Sequence, residues 1–445
     1  MTLTSGQTAH LLITMVLLLA AAHVVGLAFA HAHFPRVIGE IVGGLLLGPT
    51  LLGAILPHVY ETLFPKAGVT PTVLGALYQL GLILLMFAAG AELGSIFRTG
   101  ERRTAAMITV TGVLIPFLAG ILLSQLFTLS YFEGSAHSSR ALSLVFAAGI
   151  AVTSIPVISR IMIDLDIVDT PFARIVLNTA LIEDIILYAI LAIAVGVAES
   201  GGGDYGLPRV LGIDSTSTAG AGYYAAATVL VIVLALAIRP LIPRMRLDPS
   251  PLSFMAPQLL TTFSISAACV LLGVTLIFGG LVAGIMVGSL NDEASLQARS
   301  SISKFAFAYF IPIYFAIVGL RLDLSGFDLP LFVAFLAFAC AVKACGVYAG
   351  ARMAGEAKST SQNLAVAMNA RGGPGIVLAS VAFDAHIINQ RFYAYLVVLS
   401  IVTSLIAGLW LERVLRMGAP LRSVRASAAV QPISVLTAIP SKQVD

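Results

Sequence analysis

From Leu11 to Ala30 the chain carries no Asp, Glu, Lys or Arg, and apolar runs of this length recur along most of its length. About 20 such residues are what an α-helix needs to cross the hydrocarbon core of a bilayer. Inside that core every backbone polar group has to be paired, which leaves helices and closed barrels as the spanning structures. Helices fit runs this long. The chain therefore reads as an all-α polytopic membrane protein, with the lipid bilayer as its first partner. Composition agrees, since charged residues make up only 11% of the 445 and apolar or aromatic ones 58%, against about 25% charged in an ordinary soluble domain. A soluble enzyme and a disordered chain are both excluded. The formal net charge of +3 gives no case for nucleic acid. Cys269, Cys340 and Cys345 all fall in apolar runs and read as buried thiols, not as a disulfide framework or a metal set.

Apolar runs broken by Pro, Gly and charge clusters place spans near 9–30, 36–56, 72–95, 104–128, 140–162 and 170–198. Further spans fall near 218–239, 254–273, 275–290, 303–321, 330–351, 361–383 and 392–415, thirteen in all. The first run has no Lys or Arg before it and no good cleavage site after it, so it reads as a span and not as a signal peptide. Lys and Arg near span ends are retained on the cytoplasmic side. An external N-terminus and a cytoplasmic C-terminus put most of the 25 basic residues inside and leave Lys66, Arg140, Arg209, Arg321 and Arg391 outside. Lys343 and Arg371 fall at membrane depth.

An internal repeat is visible. Ile41–Gly48 in span two and Ile277–Gly284 in span nine both read I-x-G-G-L-x-x-G, and a weaker echo pairs Phe87–Leu93 in span three with Ala316–Leu322 in span ten. The copies lie seven spans apart. An odd offset turns the second copy upside down, the inverted-topology arrangement of many secondary transporters. The expected division is a first repeat with an outer loop over 1–217, a linker span and cytoplasmic loop over 218–250, a second repeat over 251–415 and a short cytoplasmic tail over 416–445.

The repeat also pairs span five with span twelve, and both carry helix breakers. Span five contains Thr153-Ser154-Ile155-Pro156 and span twelve contains Arg371-Gly372-Gly373-Pro374. Proline removes a donor and clashes with the preceding turn, and glycine is a poor helix former. Unwound backbone at this depth is tolerated only where protein or a wet cavity satisfies it. Two broken crossing helices in corresponding positions point to a substrate site.

Span six holds two adjacent carboxyl groups, Glu183 and Asp184, half-way along an apolar helix. A carboxylate at that depth costs at least about 2.5 kcal/mol and marks an ion pathway by default. Neighbours on a helix point about 100° apart, so one faces more toward the break in span five and one more toward another helix. Like charges this close do not both ionise easily, which suits a proton-binding group. Lys343 is the lysine able to pair with Glu183 or Asp184. Arg371 stays charged and serves as a fixed partner for helix ends or carboxylates. A bare monovalent cation needs several oxygen ligands. Asp184, the hydroxyls of Thr153 and Ser154 and carbonyls freed near Pro156 supply them, with Glu183 as a further candidate. Cation or protons would then occupy the site in turn, and only a neutralised site would cross the barrier.

These residues carry a resemblance. The run Gly39–Pro49, the run Thr153–Arg160, Asp184, Val342-Lys343 and Arg371-Gly372-Gly373 resemble the second branch of the monovalent cation/proton antiporter superfamily, over about 9–415. The resemblance implies that Asp184 is the ion and proton carboxylate and that Lys343 is the lysine of the antepenultimate span. It implies a homodimer whose core domain moves against a dimer domain in an elevator-like motion. Glu183 stands where relatives usually have Asp, which leaves the stoichiometry open. The tail after Arg416 is too short for the nucleotide-binding domain of the potassium efflux relatives, and no G-x-x-x-x-G-K-[ST] run marks an ATP-driven pump.

The expected function is exchange of Na+ or K+ for protons across the cytoplasmic membrane, without enzymatic chemistry and without a cofactor. The alternative on the same scaffold is a proton-coupled exporter of an organic cation or drug. An intramembrane aspartyl enzyme wants two acids facing each other from separate helices, whereas Glu183 and Asp184 are neighbours on one. Glu40 and Glu92 either line a funnel toward the site or sit near span ends where water reaches them.

Overall fold

The computed structural model describes all residues except 1–2, 33, 97–100, 128, 199–205, 212–217, 239–250, 291 and 423–445. Most of the expected tail thus lies outside the described residues. The described chain is helical, with one isolated antiparallel bridge between Glu133 and Ile388. In chain order the helices are α1 (Ser5–His31), α2 (Arg36–Leu47), α3 (Pro57–Leu63), α4 (Val69–Ile96), α5 (Arg102–Leu126) and α6 (Ser139–Ala151). They continue as α7 (Ile155–Asp164), α8 (Pro171–Ala198), α9 (Leu207–Val210), α10 (Thr218–Ile238), α11 (Pro251–Leu271) and α12 (Leu276–Gly288). The last are α13 (Glu293–Phe305), α14 (Ile311–Leu320), α15 (Leu329–Met353), α16 (Lys358–Ala367), α17 (Gly372–Asp384) and α18 (Gln390–Arg416).

Each of the thirteen expected spans carries helix. Nine of the described segments are long and apolar enough to cross a membrane, and shorter apolar helices stand at Ser139–Ala151, Gly222–Leu234, Met255–Leu271 and Leu276–Gly288. Val110, Leu114, Leu118 and Leu122 line one exposed stripe of α5 at a spacing of four residues, an outward apolar face that suits lipid. Span ten begins earlier than expected. Asp292 caps α13 by accepting from the Ser295 backbone N–H, and a polar, amphipathic first half hid this helix from an apolar-run reading. A π-helical turn at Ala306–Phe310 runs without a break into α14, and Pro312, which has no N–H to give to the preceding turn, stands directly after this widened turn.

The helices form two packed groups. In one, α2 packs on α1 and α14, and α12 packs on α11 and α4. In the other, α5 packs on α15, α6 and α8, and α18 covers α16 and α17. This is the exchange of partners an inverted repeat produces: span two meets span ten as span nine meets span three. Helix α10 touches α8 and α12, and so both groups. Glycines set how close the first group packs. A Cβ on Gly44 would run into the Ala316 backbone and one on Gly319 into that of Ile41, while Gly90 and Gly284 meet the backbones of Leu281 and Phe87. Small residues at such crossings let helix backbones approach without a hydrophobic drive from water.

Two spans are broken at mid-depth. Extended Val152, Thr153 and Ser154 separate α6 from α7, and Met368–Arg371 separate α16 from α17. The breaks lie against each other: the Ser154 N–H donates to the Ala370 carbonyl at 2.7 Å and the Thr153 hydroxyl to the Met368 carbonyl at 2.6 Å. The C-terminal ends of α8, α14 and α17 share one end of the bundle, here the upper end.

Candidate functional site

Helix α8 carries Glu183 and Asp184 into the second group next to the crossed breaks, both 3% exposed. Their directions differ as their helix positions require. Glu183 turns toward α15, where the Lys343 ammonium lies 2.9 and 2.8 Å from its two carboxylate oxygens. The same ammonium donates to the Gly112 carbonyl at 2.9 Å and to the Ala151 carbonyl at 2.6 Å. A fully buried ion pair survives only when its remaining polar capacity is met, and these carbonyls meet it. Gly112 also leaves the room: a Cβ there would stand 3.1 Å from a Glu183 oxygen.

Asp184 turns toward the start of α7, where it takes a backbone hydrogen bond from Ile155. A helix N-terminus offers free N–H groups and partial positive charge to an anion. Its Oδ1 has no hydrogen-bond partner although it is buried. Tyr188, one turn further along α8, interacts electrostatically with Asp184, and its hydroxyl is likewise buried and unpartnered. Unsatisfied polar atoms at this depth are costly, so two of them side by side mark a place able to accept a polar guest.

Arg371 occupies the break itself, 1% exposed. Its Nε donates to the Gly149 carbonyl at 3.2 Å, and one terminal nitrogen donates to the Ile150 and Ala339 carbonyls, both at 3.0 Å. The other reaches the Asn369 carbonyl and side-chain oxygen, each at 3.2 Å. Gly149, Ile150 and Ala151 are the last carbonyls of α6, which have no partner within the helix. Arg371 and Lys343 together satisfy them, and the two positive charges complement the negative end of that helix.

The remaining expected residues line the same crossing. Thr153, fully buried, donates to Met368 and lies within hydrogen-bond reach of Glu183. The Ser154 hydroxyl caps α7 by accepting from the Val157 N–H at 3.4 Å. Pro156 stands in the first turn of α7, and Gly372, Gly373 and Pro374 form the first turn of α17. Gly372 has φ +32°, and a Cβ there would press on Val157 and the Ser154 oxygen, so only glycine lets the two breaks meet. Among the described residues no group of three or more His, Cys, Asp or Glu is placed to hold a metal ion.

Some readings change. Glu40 is 4% exposed, its carboxyl buried against the more exposed Arg36 at 3.1 Å. The Glu92 side chain lies outside the described residues. Of the three cysteines only Cys269 is buried, and Cys345 is exposed on the apolar flank of α15. Sequence reasoning missed Asn369, which orients Arg371, and Ser404 and Thr403 on α18, which accept the N–H groups of Gly372 and Arg371 at 3.2 and 3.4 Å. It also missed Tyr188, which looked like any aromatic in an apolar helix.

Comparison with known proteins fits this geometry. A family model described as sodium/hydrogen exchanger, transmembrane, matches residues 14–417. The chain is 28% identical over 405 residues to Na(+)/H(+) antiporter NhaS4 of Synechocystis sp., covering 89% of this chain and 95% of that protein. It is 28% identical over 403 residues to K(+)/H(+) antiporter 1 of Saccharomyces cerevisiae, and 26% identical over 410 residues to Cation/H(+) antiporter 20 of Arabidopsis thaliana. These alignments cover 88% and 89% of this chain but only 44% and 47% of the yeast and plant proteins, so the chain spans less than half the length of those relatives. Among solved structures, the sodium proton antiporter MjNhaP1 of Methanocaldococcus jannaschii superposes with a TM-score of 0.55 at 14% identity, over 91% of this chain and 98% of that one. At that identity the likeness concerns the fold alone.

Proposed function

The chain belongs to the sodium/hydrogen exchanger family, and from that premise we propose that it is a secondary antiporter exchanging Na+ or K+ for protons at Asp184. The observation that carries the reading is the asymmetry of the acid pair. Glu183 is held by Lys343, whereas Asp184 keeps a buried oxygen free.

The charges support such a cycle. Lys343 neutralises Glu183, and Arg371 is dispersed over backbone carbonyls. Asp184 is then the acid whose charge changes. A proton or an alkali cation on it leaves the site with the same net charge, while the empty site is more negative by one. Moving an extra buried charge is costly, which favours crossing in either loaded form and disfavours crossing when empty. A cation would find Asp184 Oδ1 first, with the hydroxyls of Thr153 and Ser154 as further oxygens of the crossing. The tight enclosure of Asp184 favours a bare ion over an organic cation.

We infer further that the group α5–α8 with α15–α18 is the moving core and that the group around α1, α2, α4 and α11–α14 is the frame, in an elevator-like motion of a homodimer. The moving group holds every site residue, and the glycine-packed frame is suited to stay rigid. The halves 1–217 and 251–415 then act as the two repeats, joined by 218–250 and followed by the tail 416–445. The distribution of Lys and Arg supports an external N-terminus, a cytoplasmic C-terminus and residence in the cytoplasmic membrane. The upper end is then external. The protein acts as a transporter and not as an enzyme.

The test is proton flux in proteoliposomes on addition of Na+, K+ or Li+, with and without a clamped potential. Flux driven by one or more of these ions supports the reading. Flux driven by an organic cation alone turns it to the exporter, and no flux with any of them overturns it.

A further inference from the structure

The seam between the two groups carries polar cross-links at its upper end. Arg321, at the end of α14 in the frame, pairs with Asp384, at the end of α17 in the core, at 2.7 Å. Gln390 donates to the Arg321 carbonyl at 2.7 Å, and the Tyr393 hydroxyl donates to the Val318 carbonyl at 2.8 Å. These contacts tie core helices α17 and α18 to frame helix α14. Any slide of core against frame has to break them.

The ion pair also closes the top of a polar column. Its side chains are 33% and 30% exposed, so water reaches them. Asp384 borders two hollows of about 640 and 280 Å³, one lined by Tyr60, Thr70 and Gln390, the other by Gln79, Val195 and Thr275. Below the pair, the Arg321 guanidinium lies 4.4 Å from the centre of the Tyr78 ring, and that ring lies 5.1 Å from Tyr314. Tyr314 reaches Ser380 of the core at 3.5 Å and interacts electrostatically with Tyr188, next to Asp184. Tyr78 and Tyr188 are 1% and 2% exposed with unpartnered hydroxyls. A chain of buried phenols along a seam between apolar helices is expensive unless water or ions visit it.

Resting on the antiport reading, we propose that Arg321 and Asp384 form the external gate of the route to Asp184, with Tyr78, Tyr314 and Tyr188 lining the passage beneath. Separation of the pair admits water to the column; its closure seals the column while core and frame are locked together. The Tyr78 ring, also on the frame, holds the guanidinium where it meets Asp384, and the carbonyl held by Gln390 fixes the end of α14 against the core.

The first test of the gate does not rely on transport. In a chain with Cys269, Cys340 and Cys345 replaced by alanine, Ser380→Cys places a thiol beneath the pair. Its labelling by a membrane-impermeant thiol reagent added from outside is compared with Asp384→Asn, Arg321→Gln and the charge-conserving Asp384→Glu. The gate predicts labelling faster by about tenfold in the first two, as an opening equilibrium shifted by that factor demands, and slow labelling in the third. Equal rates in all of them overturn the proposal. In proteoliposomes, bridging Arg321→Cys to Asp384→Cys with a bifunctional methanethiosulfonate, which joins each thiol through a disulfide, stops cation-driven proton flux, and reductant restores it by cleaving those disulfides. Undiminished flux after bridging overturns it as well. Gated labelling in a protein whose unbridged form moves no protons with any cation leaves the gate standing and removes the antiport reading.

Discussion

Lys343 holds both carboxylate oxygens of Glu183, at 2.9 and 2.8 Å, while the adjacent Asp184 keeps a buried oxygen without a partner. Two acids of like chemistry, one residue apart, thereby take different tasks. The first neutralises a lysine and helps join α8, α15, α5 and α6; the second is left to meet a mobile ligand. About 100° of helix rotation between neighbours produces the division.

Breaking the held pair from one side should be costly. Glu183→Gln strands a buried ammonium, and Lys343→Met strands a carboxylate, each expected to cost about 3–5 kcal/mol. The double variant should be far milder than the sum. Thermal unfolding of purified protein in detergent, arranged as a double-mutant cycle, checks this; additive losses would show that the pair is not coupled.

The frame depends on backbone approach at Gly44. Gly44→Ala drives a methyl into the Ala316 backbone and should destabilise by about 3 kcal/mol, near the upper range for overpacking. Gly75→Ala, in α4 with nothing within 4 Å of the added carbon, should instead stabilise by about 0.5–1 kcal/mol. Unfolding midpoints of the two variants should therefore move in opposite directions.

Much of this was legible in the sequence, for identifiable reasons. Runs of apolar residues set the spans because the bilayer demands them, and Gly372, Gly373 and Pro374 announced a break because they cannot continue a helix. The repeat was readable because Gly44 and Gly280 keep the same spacing at corresponding crossings. The choice of Lys343 between Glu183 and Asp184 was not readable, since it depends on helix rotation against α15. The carbonyl cage of Arg371 was hidden because backbone acceptors carry no residue code. Tyr78, Tyr188 and Tyr314 sit in apolar runs, where a phenol resembles any core aromatic until its hydroxyl is traced.

Arg371→Lys should show how far the break depends on a planar fork. Five donor contacts to Gly149, Ile150, Ala339 and Asn369 exceed what three ammonium protons supply. Each buried carbonyl left without a partner costs about 1–3 kcal/mol. The variant should unfold at lower temperature, and amides at the start of α17 should exchange faster. Unchanged stability and exchange would contradict the cage.

A clamp at the lower end has its own pH signature. Arg422 bonds Glu101 before α5 and Glu356 between α15 and α16. The Arg422 hydrogen bond holds the Glu101 carboxyl below its usual range, and Glu101 in turn raises Arg422. A lowered carboxyl stabilises the fold fully above its unfolded value of about 4.3 and stops doing so as pH falls through the folded value. Arg422→Gln should lower the unfolding temperature at pH 7, and the gap to the unaltered protein should narrow as pH drops below about 4. A gap that stays constant would contradict the clamp.

The central claim is that one carboxylate serves cation and proton in turn, and the apparent cation affinity of proteoliposome exchange as a function of pH tests it most directly. Competition for Asp184 predicts that affinity weakens by about tenfold per unit of acidification wherever the carboxyl is protonated in the cation-free site. Asp184→Asn should abolish exchange with every alkali cation while leaving the unfolding temperature close to that of the unaltered protein. Exchange that persists in Asp184→Asn with the same pH dependence would contradict the account.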